Sequence, residues 1–95
     1  MTEETIATHA IIHGRVQGVG YRAWTAAKAR SLNLTGWVRN RSNGTVETML
    51  CGTATNVNNM IAACHSGPTF AHVDKIKTNA VENEGWDRFE QKSTL

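Results

Sequence analysis

Proline is almost missing from this 95-residue chain, Pro68 being the single one, and cysteine occurs only twice, at Cys51 and Cys64. Scarce proline with ordinary apolar content argues against a linker or disordered segment, which gathers proline and sheds hydrophobes. Two cysteines are too few for a disulfide framework and lack metal-ligand spacing, so they read as two small, half-buried hydrophobes. Whether they bridge stays open, because a bond depends on a Cα separation that sequence does not report. No apolar run is long enough to cross a bilayer, and the first fifteen residues carry Glu3, Glu4 and two histidines where a leader would carry hydrophobes. A soluble cytoplasmic protein with no membrane partner is expected.

Nor does one sign of charge dominate. Ten Lys and Arg against eight Asp and Glu leave a net charge of +2, and the basic residues are scattered along the chain. That balance suits a small anionic ligand and falls well short of a nucleic-acid-binding stripe. At this length one domain over residues 1–95 is expected, with a monomer as the default state. So short a chain buries a modest share of its surface, and each core position counts.

What is present is clear periodicity. Ile6 to Gly14 alternates, with Ile6, Ala10 and Ile12 on one side and His9, Ile11 and His13 on the other, which predicts a strand. Gly14 to Gly20 holds three glycines in seven positions and reads as a tight loop. From Tyr21 the period becomes helical, through Trp24, Ala29 and Leu32, and Asn33 suits the left-handed conformation of a helix stop. Gly36 to Asn40 predicts a second strand, Asn43-Gly44 a hairpin in which both residues accept positive φ, and Thr45 to Cys51 the returning strand. In that strand Val46, Thr48 and Leu50 alternate against Glu47 and Met49. A second helix starts near Thr53 or Thr55, either of which can cap it, and carries Val57, Met60, Ile61 and Cys64 on one stripe. Gly67-Pro68 stops it. Val73 to Val81 reads as an edge strand, and Trp86 to Lys92 as a short last strand built on Phe89. The order predicts an α+β, ferredoxin-like βαββαβ sandwich: a mostly antiparallel sheet of four to five strands with two helices on one face.

The stretch Gly14-Arg15-Val16-Gln17-Gly18-Val19-Gly20-Tyr21-Arg22 carries the chemistry. Gly18 and Gly20 let successive backbone N–H groups turn into one hollow. The loop opens onto a helix N-terminus, where unpaired amides and the helix dipole favour an anion. Arg22 sits in the first helical turn, where a cation is normally disfavoured unless an anion lies beside it. Two familiar phosphate motifs do not account for this loop. Gly18-Val19-Gly20-Tyr21-Arg22-Ala23 matches G-x-G-x-x-A, but Asn40-Arg41 stands where a ribose-binding acid would be needed. No Gly-Lys-Ser/Thr follows, so the Walker pattern fails as well.

That block, followed by Gly36-Trp37-Val38-Arg39-Asn40 and Gly44-Thr45-Val46-Glu47 and extending through Gly67-Pro68 and Val73, resembles the acylphosphatase family over nearly the whole chain. The resemblance implies hydrolysis of the carboxyl–phosphate bond of acyl phosphates, with no cofactor and no metal. By position it implies that the loop from Gln17 through Gly18, Val19, Gly20 and Tyr21 to Arg22 cradles the phosphoryl group. Arg22 would bind its oxygens and Asn40 would orient the attacking water. Asn33 stands where the family usually has glycine, and Thr69 where a second proline is common; neither touches these residues.

The remaining candidates are weaker. His9 and His13 have the spacing of helical zinc ligands but lie on a strand, where four residues at ~3.3 Å each separate them by roughly 13 Å. His65 and His72 flank a turn with no carboxylate pair nearby, so no metal site is expected. Trp24, Trp37 and Trp86 are dispersed and read as packing residues. Arg15 is expected on the outer face of its strand, and Asn43 as a turn residue. A nucleic-acid-binding module of this fold predicts paired aromatics on the central strands, which Val46 to Leu50 do not offer. A non-catalytic anion sensor would have no use for a water-orienting Asn40.

Overall fold

The computed structural model describes residues 3–95; Met1 and Thr2 of the expected 1–95 domain lie outside the described residues. β1 (Thr5–Arg15), α1 (Tyr21–Ser31), β2 (Thr35–Asn40), β3 (Val46–Thr53), α2 (Ala54–Cys64), β4 (His72–Val81) and β5 (Phe89–Gln91) follow one another along the chain. They build a five-stranded sheet in the order β4-β1-β3-β2-β5. Its neighbours are antiparallel except the short β5, which runs parallel to β2. The expected βαββαβ order is found, with its extra strand. No helix among the described residues is long and apolar enough to cross a membrane.

The periodicities become one core. Ile12, Val38, Val46 and Leu50 from the sheet meet Ala26 and Ala29 of α1 and Val57 and Met60 of α2, so both helices cover the same face. Phe89 joins them from β5. Each large side chain so buried contributes on the order of 1.5–3 kcal/mol. Cys51 and Cys64 are buried and unbridged; burial raises the Cys64 thiol to about 11.

The helix ends show why the elements stop where they do. Asn33 takes φ 57, and the N–H groups of Leu34 and Asn33 close back on Ala29 O at 2.9 Å and Arg30 O at 3.1 Å. This paired closure satisfies carbonyls that the end of α1 would otherwise orphan. At α2 the cap is Thr53, whose Oγ1 accepts from the Asn56 N–H at 3.2 Å. Thr55, the other candidate, donates its N–H and Oγ1 to the Glu3 carboxylate at 2.6 and 2.9 Å, which sets an acid against the helix N-terminus.

The structure differs from the sequence reading at several points. Gly14 and Arg15, expected in the loop, still pair with β4 as part of β1, and the last strand forms over Phe89–Gln91 alone, not from Trp86 to Lys92. In the β2–β3 turn Gly44 alone takes positive φ, at 93°. Asn43 works through its side chain, whose Oδ1 accepts from the Thr45 N–H at 3.1 Å and from Thr45 Oγ1 at 2.7 Å. The alternation of β3 is present, but both of its halves are buried, because β3 lies inside the sheet with β1 and β2 on either side. On the face away from the helices, Glu47 accepts from His9 Nε2 at 2.6 Å and from Arg39 Nε at 2.7 Å. The Arg39 guanidinium lies 4.7 Å from the Trp37 ring centre, and Lys92 Nζ lies 5.1 Å from it. Burial by itself would raise the Glu47 carboxyl, yet the hydrogen bonds from His9 and Arg39 outweigh it and hold the group below its usual range.

Candidate active site

The glycine loop begins where β1 leaves the sheet. The ladder with β4 shifts register between His13 and Gly14, and Gly14 has φ 130. A Cβ there would meet His72 O at 2.1 Å, so only glycine allows this close approach. Val16 is buried and anchors the loop in the core. Gly18 and Gly20 are left-handed, with φ 74 and 78, and an added Cβ at either would meet nothing within 4 Å. The demand at these two positions is therefore conformational, not steric.

Gly20 is also the N-cap of α1, which has no side-chain cap and no acidic residue in its first turn. Among the described residues, none of the backbone N–H groups of Gln17, Gly18, Val19 and Gly20 donates to another protein group. Four donors are thus uncommitted beside the positive end of a helix dipole. Tyr21 fixes where that end points. Its ring is buried, its hydroxyl donates to Cys64 O, and Gly67, with φ +62, leaves it room: a Cβ there would stand 2.5 Å from Tyr21 Cε2. Burial, reinforced by Cys64, pushes the phenol far above its ordinary value, so it remains a neutral donor.

Arg22, the next residue, and Asn40, the last of β2, line one hollow of about 360 Å³ together with Gln17, Gly18, Gly20 and Tyr21. Val19 does not line it; its side chain packs against the core. The Arg22 guanidinium donates from Nη1 to Lys92 O at 3.0 Å, which leaves most of its donors free. Asn40 Oδ1 is buried and takes no hydrogen bond from any described residue. Gln17 lines the hollow, but its side-chain amide is engaged elsewhere, donating to Arg41 O and Thr45 O.

Two contributors were missed from the sequence. Gln91 lines the hollow from β5. The alternation of that strand, which puts Gln91 on the same side as buried Phe89, was the available signal. The Lys92 carbonyl that holds Arg22 is a backbone group with no signal of its own.

The lining carries one positive charge and no carboxylate, hydroxyl other than that of Tyr21, thiol or imidazole. Such a site can hold an anion and hydrogen-bond a water. It has no side chain suited to serve as nucleophile or to protonate a poor leaving group. Among the described residues, no three His, Cys, Asp or Glu side chains converge to hold a metal ion.

The chain matches the family model described as acylphosphatase over residues 8–91. It is 53% identical over 78 residues to an acylphosphatase of Azorhizobium caulinodans, spanning 82% of this chain and 84% of that one. Its fold is similar to the solved structure of an acylphosphatase from Coxiella burnetii, with TM-score 0.91 and 32% identity, covering 97% of this chain and 100% of the other. The acylphosphatase of Bacillus subtilis gives TM-score 0.90 and 33% identity, covering 92% of this chain and 98% of that chain.

Proposed function

This chain belongs to the acylphosphatase family, whose members are hydrolases acting on acyl phosphates, and from that premise we propose that its Arg22, Asn40 and the loop from Gln17 to Arg22 carry out the hydrolysis. The backbone N–H groups of the loop and the Arg22 fork hold the phosphoryl oxygens, where charge is spread in the transition state. Asn40 Oδ1 accepts a hydrogen bond from the attacking water and aims it in line with the departing oxygen. The single observation that carries this reading is that orphaned oxygen: a buried acceptor without a partner among the described residues, in the same hollow as Arg22.

The economy of the site fits the substrate. A carboxylic acid has a pKa of about 4, so its carboxylate departs from phosphorus without needing a proton. General acid catalysis is dispensable, and a hollow lined by neutral amides and one guanidinium is sufficient. A neutral amide at Asn40 orients water without repelling the anion, as a carboxylate would. The water's proton passes to the phosphate itself. The same reading takes residues 1–95 as one domain, a cytoplasmic monomer acting on small acyl phosphates without metal, nucleic acid or membrane.

Hydrolysis of benzoyl phosphate, with and without a chelator, tests the activity. Asn40→Ala tests the division of labour: turnover is expected to fall by about 10²–10³-fold, as when one preorganised donor or acceptor is lost. Inorganic phosphate should inhibit the variant about as well as the parent. Near-normal turnover in the variant would remove the water-orienting role, and chelator-sensitive hydrolysis would remove the metal-free mechanism.

A further inference from the structure

We infer that the Gln17 side chain is a positioning residue for this reaction, clamping the phosphate loop to the β2–β3 turn and so setting the distance between the cradle and Asn40. This inference rests on the functional reading above. Gln17 Nε2 donates to Arg41 O at 2.7 Å and to Thr45 O at 2.9 Å. Both partners are carbonyls, which can only accept, so the amide nitrogen and not its oxygen must face them. Each carbonyl already takes one backbone bond inside the turn: Arg41 O from the Gly44 N–H, and Thr45 O from the Arg41 N–H. Gln17 fills their second acceptor positions and locks the turn as it grips it.

The topology explains why a clamp is needed. β1 and β2 are not neighbours, because β3 lies between them. No ladder bond therefore sets the spacing between the loop after β1 and the end of β2. Gln17 precedes Gly18 of the cradle, and Arg41 follows Asn40, so this one side chain joins the two halves of the hollow within a residue of each. With both N–H groups spent on carbonyls, the side chain has no donor left for a phosphoryl oxygen; only its backbone N–H is free to serve the cradle. In-line attack tolerates little error, and a misplacement of about 1 Å can cost on the order of 10²-fold in rate.

The test compares Gln17→Ala and Gln17→Glu with the parent chain, using benzoyl phosphate as substrate and inorganic phosphate as competing ligand. Gln17→Ala is expected to lower kcat by about tenfold or more while the phosphate inhibition constant stays within about threefold. Gln17→Glu keeps the shape but offers only acceptors at neutral pH, so its kcat should lie below that of Gln17→Ala. As pH falls from about 7 to about 4, through the ordinary glutamate value of about 4.3, the new carboxyl gains a proton and one donor, and its kcat should climb relative to the alanine variant. An unchanged kcat in Gln17→Ala overturns the clamp, as does a loss of phosphate affinity as large as the loss of turnover. If the parent chain itself hydrolyses no acyl phosphate, the functional reading fails, and the clamp is judged by NMR instead. Side-chain amide signals of Asn40 and backbone signals of Arg41 to Thr45 should shift or broaden in Gln17→Ala; unmoved signals overturn it.

Discussion

Two polar clusters on this molecule, each holding one arginine, are treated in opposite ways. On the face of the sheet away from the helices, the groups of one cluster are matched: Glu47 accepts from both His9 and Arg39, and Arg39 also stacks on Trp37. In the hollow beside α1, polar groups are left unmatched among the described residues: Asn40 Oδ1 has no partner, the loop amides donate to nothing, and Arg22 spends one donor on a carbonyl. Leaving a buried polar group unpaired costs about 1–3 kcal/mol, so a marginally stable domain tolerates it only where something is gained. The contrast teaches that a cluster's pairing, not its composition, separates a site from a scaffold. Judged by residue type alone, a histidine, a glutamate and an arginine in contact make the better-looking active site.

Mutation can break that contrast from either side. The largest effect is expected at Arg22→Ala, where turnover should fall by about 10³-fold or more, in the range known for a guanidinium that stabilises a transferring phosphoryl group. Phosphate inhibition should vanish with it, while the thermal midpoint moves little; retained phosphate inhibition would show that the loop amides hold the anion alone. Next in size, Glu47→Gln should leave kcat and KM unchanged and reduce stability by about 1–3 kcal/mol, since Arg39 loses the charge it pairs with. A variant crippled in turnover but normal in urea melting would reverse the roles assigned to the two clusters. The smallest effect is in the acid limb of the parent's stability. Folding holds the Glu47 carboxyl more acidic than it is in the unfolded chain, so the unfolded state binds the proton first as pH drops. Stability from this group is complete above the ordinary value of 4.5 and is lost as pH falls below it through the lowered folded value. Urea midpoints of Glu47→Gln and the parent should therefore converge toward acid pH, and parallel curves would show that the ion pair carries no proton linkage.

The site was legible in part, and the limits have a physical pattern. Gly18 and Gly20 announced a left-handed loop, and Arg22 an unusual first-turn cation, because both signals lie within a few residues of one another. Asn40 stood out only through the motif that accompanies it, since an asparagine ending a strand is common. The sequence places Gln17 in the loop, but nothing local says that its side chain turns to the hairpin. The helix-free face of β3 likewise gave an alternation but no sign that Glu47 would be buried under Arg39 and His9.

The sequence by itself determined the order of strands and helices along the chain, their stops at Asn33 and Gly67, and the shape of the glycine loop. Backbone dihedral preferences and side-chain periods act over a few neighbouring residues, and those are all that such features require. Only the tertiary structure decided which polar groups would be spent and which kept. The bond from Arg22 to Lys92 O joins residues 70 positions apart, and that from Gln17 to Arg41 O spans 24. Pairing over such distances is set by how strands order in the sheet, and no local preference encodes it.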